Sequence, residues 1–353
     1  MKIELHVQPP SDKNINWSAL VDTIANHITE IDPSSLTVKQ FTAGYSNLTY
    51  LLQFPNKELV LRRPPFGKIP PKAHNMEREY HIIRRIHPVF PLAPKPFLYE
   101  HNENIMEKHF YVMEKKEGVV LDDEMPSEWQ NKKNVEQQVS EAVVNTISQL
   151  HSIDIYKHEL NILGKPEGYL ERQVNGWIKR YEKSLVEGND IVKEIIPWFL
   201  HHVPHIHSYK PTIVHNDFKL NNMMFSKENP EEVTAVFDWE MTTVGDPLLD
   251  IAGTVAYWTE PEDKETGLAS VTQFGSFYSR RELLEAYANK TGRDLDDIHF
   301  YVSFAFFKIA VILQQIYYRW HHGEITDDRF ANLGIGINNL LEQSLRAKNK
   351  ELF

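Results

Sequence analysis

The sequence has no cysteine, which excludes disulfides, thiol nucleophiles and thiolate metal sites. Basic residues are also in deficit: 38 Lys and Arg against 49 Asp and Glu leave a formal charge of −11. Nucleic-acid binding is therefore not expected, because it needs a basic stripe to release counterions; a local basic pocket for one nucleotide remains compatible. Long apolar runs are scarce, and the longest, from Phe300 to Trp320, is interrupted by Lys308, Gln314 and Gln315. A membrane span needs about 20 nearly uninterrupted apolar residues, so this run predicts a buried core helix and no membrane partner. The N-terminal MKIELHVQPP lacks an apolar h-region, which predicts no secretory leader and a cytoplasmic protein. Neither GxxxxGK[ST] nor GxSxG occurs, so P-loop and serine-hydrolase chemistry have no support.

What remains is an ordinary globular composition over 353 residues, enough for two lobes with separate cores. Residues 1–15 read as a loose start. Apolar residues from Trp17 to Ile28 follow helical spacing behind a candidate N-cap, Asn16. Leu36 to Phe54 reads as two strands around the turn AGYSN, and Glu58 to Arg63 as a third strand stopped by Pro64 and Pro65. Lys72 to His87 is helical. Pro88 to Pro96 is an extended connection, and Phe110 to Met113 a short strand before the polar run EKKEG. Helical spacing then dominates, broken by a polar loop and the short strand VTAVFDWE. The expected architecture is α+β with segregated elements: a small antiparallel-sheet lobe over 1–113, a hinge at 114–118, and a larger helical lobe over 119–353.

The polar loop is HNDFKLNN, residues 215–222. Asp217 precedes Lys219 by two residues and Asn222 by five, the arrangement of the protein-kinase catalytic loop, where the Asp is the base and the Asn binds magnesium. VFDWE places Asp238 at a strand end shortly afterwards, as a second magnesium ligand would be, although Trp239 stands where kinases have Phe and Glu240 where they have Gly. His215 reads as a brace for the loop backbone. In GDPLLDIAG, Asp246 is a candidate N-cap with Pro247 at N1, and Asp250 a buried carboxylate holding the loop's amides. The hairpin FTAGYSNLTY has one glycine where a phosphate-covering turn often has three; Ser46 and Asn47 would supply polar contacts instead. LVLRR carries arginines where kinases carry lysine, so Arg62 or Arg63 must take the phosphate-binding role. Glu79 shares a helix face with Met76, Ile83 and Ile86; on an apolar face it needs a partner, which Arg62 would provide. HHVPHIH, residues 201–207, offers four histidines but no complementary carboxylate or cysteine for a tetrahedral set, and reads as a His-rich linker.

HNDFKLNN, VFDWEMTTVGDPLLDIAG and FTAGYSNLTY resemble the motifs of aminoglycoside phosphotransferase-like enzymes, a branch of the protein-kinase-like fold. The likeness runs from about Leu36 to about Trp320. GYLERQVNGWIKRY, LVLRRPP and FFKIAVILQQIYYR are most similar to the kinase-like domains fused to acyl-CoA dehydrogenase family members ten and eleven, and to their stand-alone bacterial relatives. The resemblance implies transfer of the γ-phosphoryl of ATP, with Mg2+, to the hydroxyl of a small molecule: a hydroxyacyl compound or its CoA ester. The alternatives are an antibiotic phosphotransferase and a nucleotide-binding pseudokinase. It implies Asp217 as base with Lys219 beside it, Asn222 and Asp238 as metal ligands, Arg62 with Glu79 on the phosphates, and the backbone of Glu114 and Lys116 at the adenine edge. Protein substrates are not expected, because Asp238 to Asp246 is too short for a peptide-docking activation segment. The acidic balance hints at a cationic acceptor, although net charge is a poor guide to one pocket. With Asp217 as base, Asp217→Asn should lower turnover by roughly 10²–10⁴-fold while nucleotide affinity, measured by calorimetry, barely changes.

Overall fold

A computed structural model describes residues 1–41, 47–67, 75–207, 209–268 and 270–353. Ser46 and the rest of the expected phosphate turn lie outside them except Asn47, as do residues 72–74 of the expected helix. The chain divides into two units, Met1–Glu117 with Thr234–Glu240, and Gly118–Val233 with Met241–Phe353. The segment around Asp238 therefore groups with the N-terminal unit, although sequence order had placed it in the helical lobe.

The first unit contains, in chain order, β1 (Lys2–His6), α1 (Ser11–Asn14), α2 (Trp17–His27), β2 (Ser35–Gln40), β3 (Leu48–Gln53), β4 (Glu58–Arg63), α3 (Met76–Ile86), β5 (Pro96–Glu100) and β6 (Phe110–Glu114). Its sheet runs β1-β2-β3-β4-β6-β5. β1 lies parallel to β2, and the other pairings are antiparallel. Two expectations are corrected here. Residues 1–15 are not loose, since they form β1 and α1. The proline-marked connection also ends sooner than expected, because Pro96 opens β5, where an edge position tolerates its missing N–H.

Side chains alternate across β4, so Leu59, Leu61 and Arg63 turn into the core, all fully buried, while Arg62 turns the other way. That core gathers Trp17, Leu20 and Ile24 of α2 with Tyr50, Leu61 and Val112 of the sheet; each such apolar side chain contributes roughly 1.5–3 kcal/mol. Asn16 caps α2 by accepting the Ala19 N–H at 3.1 Å. Asn75 caps α3 through the Arg78 N–H at 2.9 Å, and α3 packs on β5 and β6.

The second unit contains β7 (Val119–Val120), α4 (Val135–His151), α5 (Tyr169–Lys183), α6 (Asp190–His202), β8 (Thr212–Val214), β9 (Met223–Phe225), β10 (Thr243–Gly245), α7 (Pro247–Tyr257), α8 (Arg280–Thr291), α9 (Ile298–His321) and α10 (Leu333–Lys348). β7 pairs with β9 and β8 with β10, both antiparallel. α9 is the centre, packed by α5, α7 and α10. By length and composition it is the one helix among the described residues apolar enough to cross a membrane, and most of it is buried inside the protein. Its polar interruptions are used. Lys308 Nζ donates to the Asn216 carbonyl at 3.0 Å, and Gln314 donates to Ser184 O at 2.9 Å. Phe199 of α6 packs edge-on to Phe300 and Phe304 and tilted against Phe307. The His-rich stretch is not simply a linker: His201 and His202 end α6, and a 3-10 turn, Val203–His205, follows.

Candidate active site

The loop after β8 is held from below. Ile213 and Val214 are fully buried and deliver the chain to His215. The His215 and Asn216 N–H groups each donate to the Asp250 carboxylate at 2.6 Å, so Asp250 does hold the loop's amides. Asp250 sits in the first turn of α7, placed there by the Asp246 cap, which accepts the Leu248 N–H at 2.9 Å, and by Pro247 at N1. The fully buried His151 donates from Nε2 to Asp250 Oδ2 at 3.2 Å, and its Nδ1 accepts from the Tyr287 hydroxyl at 2.8 Å. Burial alone would push the Asp250 carboxyl up, but the His151 bond and charge and the His215 amide outweigh it and hold it below its ordinary value. For His151 burial wins, against Asp250, and its pKa is lowered.

Asn216 adopts φ 67°, a left-handed conformation that Asn tolerates better than most residues. Its polar groups are all engaged. The Tyr169 hydroxyl donates to Oδ1 at 2.8 Å, Nδ2 donates to Met241 O at 3.0 Å, and the carbonyl accepts from Lys308. Tyr169 is itself seated against Gly245: a Cβ there would come within 2.6 Å of the ring. Beyond Asn216 apolar and polar residues alternate, with Phe218 and Leu220 buried and Asp217 and Lys219 partly exposed. The 3-10 turn Leu220–Asn222 brings Asn222 back to Asp217. Asn222 Nδ2 donates to Asp217 Oδ2 at 2.8 Å and to its carbonyl at 2.9 Å, which leaves the Asn222 amide oxygen pointing to other duties. Lys219 Nζ lies 3.2 Å from Asp217 Oδ2. Fully buried His215 receives the Asp217 N–H on Nδ1 at 3.3 Å, the bracing position.

In the first unit, Arg62 Nη1 donates to Glu79 Oε1 at 2.9 Å and Nη2 to Asp238 Oδ1 at 2.8 Å. The strand of Val233–Val236 ends two residues before Asp238, not at Asp238 as expected. Asp238 has φ 65°, and Trp239 fixes the bend: its Nε1 donates to Val236 O at 2.8 Å, and its ring packs edge-on to Phe90. Burial, more than the neighbouring Asp238 and Glu240, pushes the Glu79 carboxyl up to about 7 even with Arg62 beside it. Burial works against the Arg62 charge, but Glu79, Tyr111 and Asp238 outweigh it and keep the guanidinium firmly protonated. Arg63 takes no part. Its guanidinium lies 3.8 Å from the Phe66 ring centre, its Nε donates to Pro64 O at 2.9 Å, and its pKa is lowered by burial. At the expected hinge the Glu114 N–H is spent on Lys95 O at 2.8 Å, so that donor is not offered to a ligand. Lys116 Nζ bonds Pro91 O at 3.0 Å. Asn47 is a buried residue just before β3.

Sequence reasoning missed Lys308, Tyr169 and His151. A lone lysine in an apolar helical run was the one signal available, and it was read only as an interruption.

A sheet-rich unit and a helical unit of this kind define a protein-kinase-like fold of the α+β class. Residues 37–289 match the phosphotransferase enzyme family, and the chain belongs to that family. It is 32% identical over 332 residues to acyl-CoA dehydrogenase family member 11 of Rattus norvegicus, covering 90% of this chain but 41% of that protein. The chain thus spans about two fifths of that relative's length. A crystal structure from Ralstonia eutropha, provisionally named an aminoglycoside phosphotransferase, superposes with a TM-score of 0.78 at 26% identity, covering 95% of this chain and 99% of that one. The aminoglycoside phosphotransferase APH(4)-Ia in complex with AMP-PNP and hygromycin B gives a TM-score of 0.59 at 13% identity, covering 93% and 98%, a likeness of fold.

Two outcomes are expected. Arg62→Ala and Glu79→Ala should each weaken ATP affinity, and the losses should be non-additive in a double-mutant cycle, because Glu79 acts by holding the guanidinium; Arg62→Lys should retain part of the activity, since it keeps the charge and loses the fork. For His151, the ordinary value is 6.5 and the folded value is lower, so the unfolded chain takes up this proton first. The stability this gives is present in full above the ordinary value and is lost as pH falls through the folded one. Melting temperatures from pH 7.5 down to 5 should fall more steeply for the wild type than for His151→Gln.

Proposed function

We propose that the chain is a kinase that transfers the γ-phosphoryl of ATP to a hydroxyl of a small metabolite, a hydroxyacyl compound or its CoA ester. The observation that carries this reading is the folding of Asn222 onto Asp217, with Lys219 3.2 Å from the same carboxylate oxygen. Likeness to an acyl-CoA dehydrogenase family member supports the acyl part of the acceptor. We place the activity in the cytoplasm, where ATP and CoA esters meet.

Asp217 receives the proton of the acceptor hydroxyl as its oxygen bonds to the γ-phosphorus; the bond from that phosphorus to the bridging oxygen breaks, and ADP leaves. Asn222 fixes the carboxylate rotamer through its two donations, so Asp217 meets the hydroxyl with little reorganisation. Lys219 offers its ammonium to charge on the transferring group. Arg62, held by Glu79, grips phosphate oxygens with a planar fork. We assign the backbone of Glu114 and Lys116 to the adenine edge, and Ser46 and Asn47 to polar contacts with the phosphates. Asp238 of the first unit and Asn222 of the second are the residues that would hold magnesium: carboxylate and amide oxygens are the hard donors this ion prefers, and the Asn222 donations use its amide nitrogen and not its oxygen. Magnesium, when bound, would neutralise charge on the phosphates.

The test is transfer of labelled phosphate from ATP across hydroxyacyl-CoAs, amino sugars and choline-like alcohols, with and without magnesium. Asp238→Ala should abolish the magnesium-dependent gain in ATP affinity seen by calorimetry. An unchanged gain would place the metal elsewhere, and no transfer to any acceptor would remove the kinase reading.

A further inference from the structure

Around Asp217 the second unit gathers positive charge, although the chain as a whole carries −11. Lys219 lies beside the carboxylate, its ammonium 4.7 Å from the Tyr257 ring centre. Lys308 reaches the preceding residue from α9. Arg180 of α5 lays its guanidinium 4.5 Å from the Trp177 ring centre, and Lys308 Nζ lies 5.7 Å from the same ring. Lys219 is ion-paired, but among the described residues no carboxylate lies within ion-pair distance of Lys308 or Arg180.

Lys308 is the costly member. An ammonium has three donors, and here one goes to the Asn216 carbonyl while no other acceptor faces it among the described residues. Burial lowers its pKa; Asp217 and Asp250 work against that, and Lys219 and Arg180 add to it. A partly buried cation with unmatched donors and like-charged neighbours favours the arrival of something negative or strongly accepting. Holding a loop carbonyl does not require a charge, since a neutral donor would do the same. The surplus charge and donors face the neighbourhood of the base, where an acceptor must bind.

We infer that Lys308, with Arg180 stacked on Trp177, is the specificity-determining pair for the acceptor and receives an acyl oxygen carried near its reacting hydroxyl. This rests on the kinase reading and narrows it. The same charge disfavours amino-sugar and quaternary-ammonium acceptors, so local geometry reverses the hint given by net charge. The acyl oxygen is either a free carboxylate or the carbonyl of a thioester, and both offer the same acceptor to the ammonium.

The experiment measures both binding and transfer. Calorimetry with 3- and 4-hydroxybutyrate, their CoA thioesters and choline is run on the wild type, Lys308→Met, Lys308→Arg and Arg180→Gln, alongside steady-state transfer from ATP. Loss of a hydrogen bond to a charged group costs roughly 10- to 100-fold in affinity. Lys308→Met should show that loss for the acyl probes, with the KM for ATP unchanged and partial rescue in Lys308→Arg. Arg180→Gln, on the surface, should show a smaller loss in the same direction. A loss confined to the acids identifies a carboxylate, and one confined to the thioesters a carbonyl; either supports the pair. An equal drop in kcat for every acceptor, choline included, without rescue by Arg, would reduce Lys308 to a brace of the loop and overturn the inference. So would wild-type protein that binds choline and none of the acyl probes. Acyl probes that bind the wild type, weaken with Lys308→Met and are never phosphorylated would leave the pair standing and remove the kinase reading instead.

Discussion

One carboxylate, Asp250, accepts the amides of two consecutive residues, His215 and Asn216, at 2.6 Å each. Amides of a buried polar loop have no water to turn to, and leaving one unmatched costs about as much as a typical hydrogen-bonded mutant loses. With both amides fixed on one rigid first turn, the loop direction is set before any side chain is placed. Asn216 can then hold a left-handed φ, and Asp217 emerges on the partly exposed side while Phe218 is drawn inward. Everything the proposed base does depends on that anchorage, and the anchorage depends on a helix cap, Asp246, and on Pro247, three residues before Asp250.

The first unit solves a related problem with one cation. Two carboxylates, Glu79 and Asp238, meet one guanidinium. Glu79 is buried enough that its proton affinity rises to about 7, whereas Arg62 cannot lose its charge. The pair is therefore weak evidence of stability and stronger evidence of orientation, because burying it gains little over apolar packing but fixes where the fork points.

Much of this was legible in the sequence where the signal was local. The spacing of Asp217 to Asn222, the Asp246–Pro247 cap and the apolar face carrying Glu79 each lie within a single loop, turn or helix, and the structure forms each of them as a unit. Arg62 and Arg63 could not be separated without the register of β4, since adjacent strand residues face opposite ways and both are arginine. β5 hid behind its opening proline. Lys308 was invisible for another reason: its acceptor, the Asn216 carbonyl, is 92 residues away, and no periodicity reports a contact between a helix and a distant loop backbone.

Asn216 is gripped by α5 through Tyr169, by α7 through Asp250 and by α9 through Lys308. Two of those helices also carry Trp177, Arg180 and Lys308, which form the charged wall near the base. The surface we infer to select the acceptor and the frame that holds the loop are thus cut from the same pieces. A lineage drifting toward a new acceptor by changing that wall would disturb its own reaction rate in the same step. Such a chain can change its taste only slowly, or by first acquiring a second support for the loop.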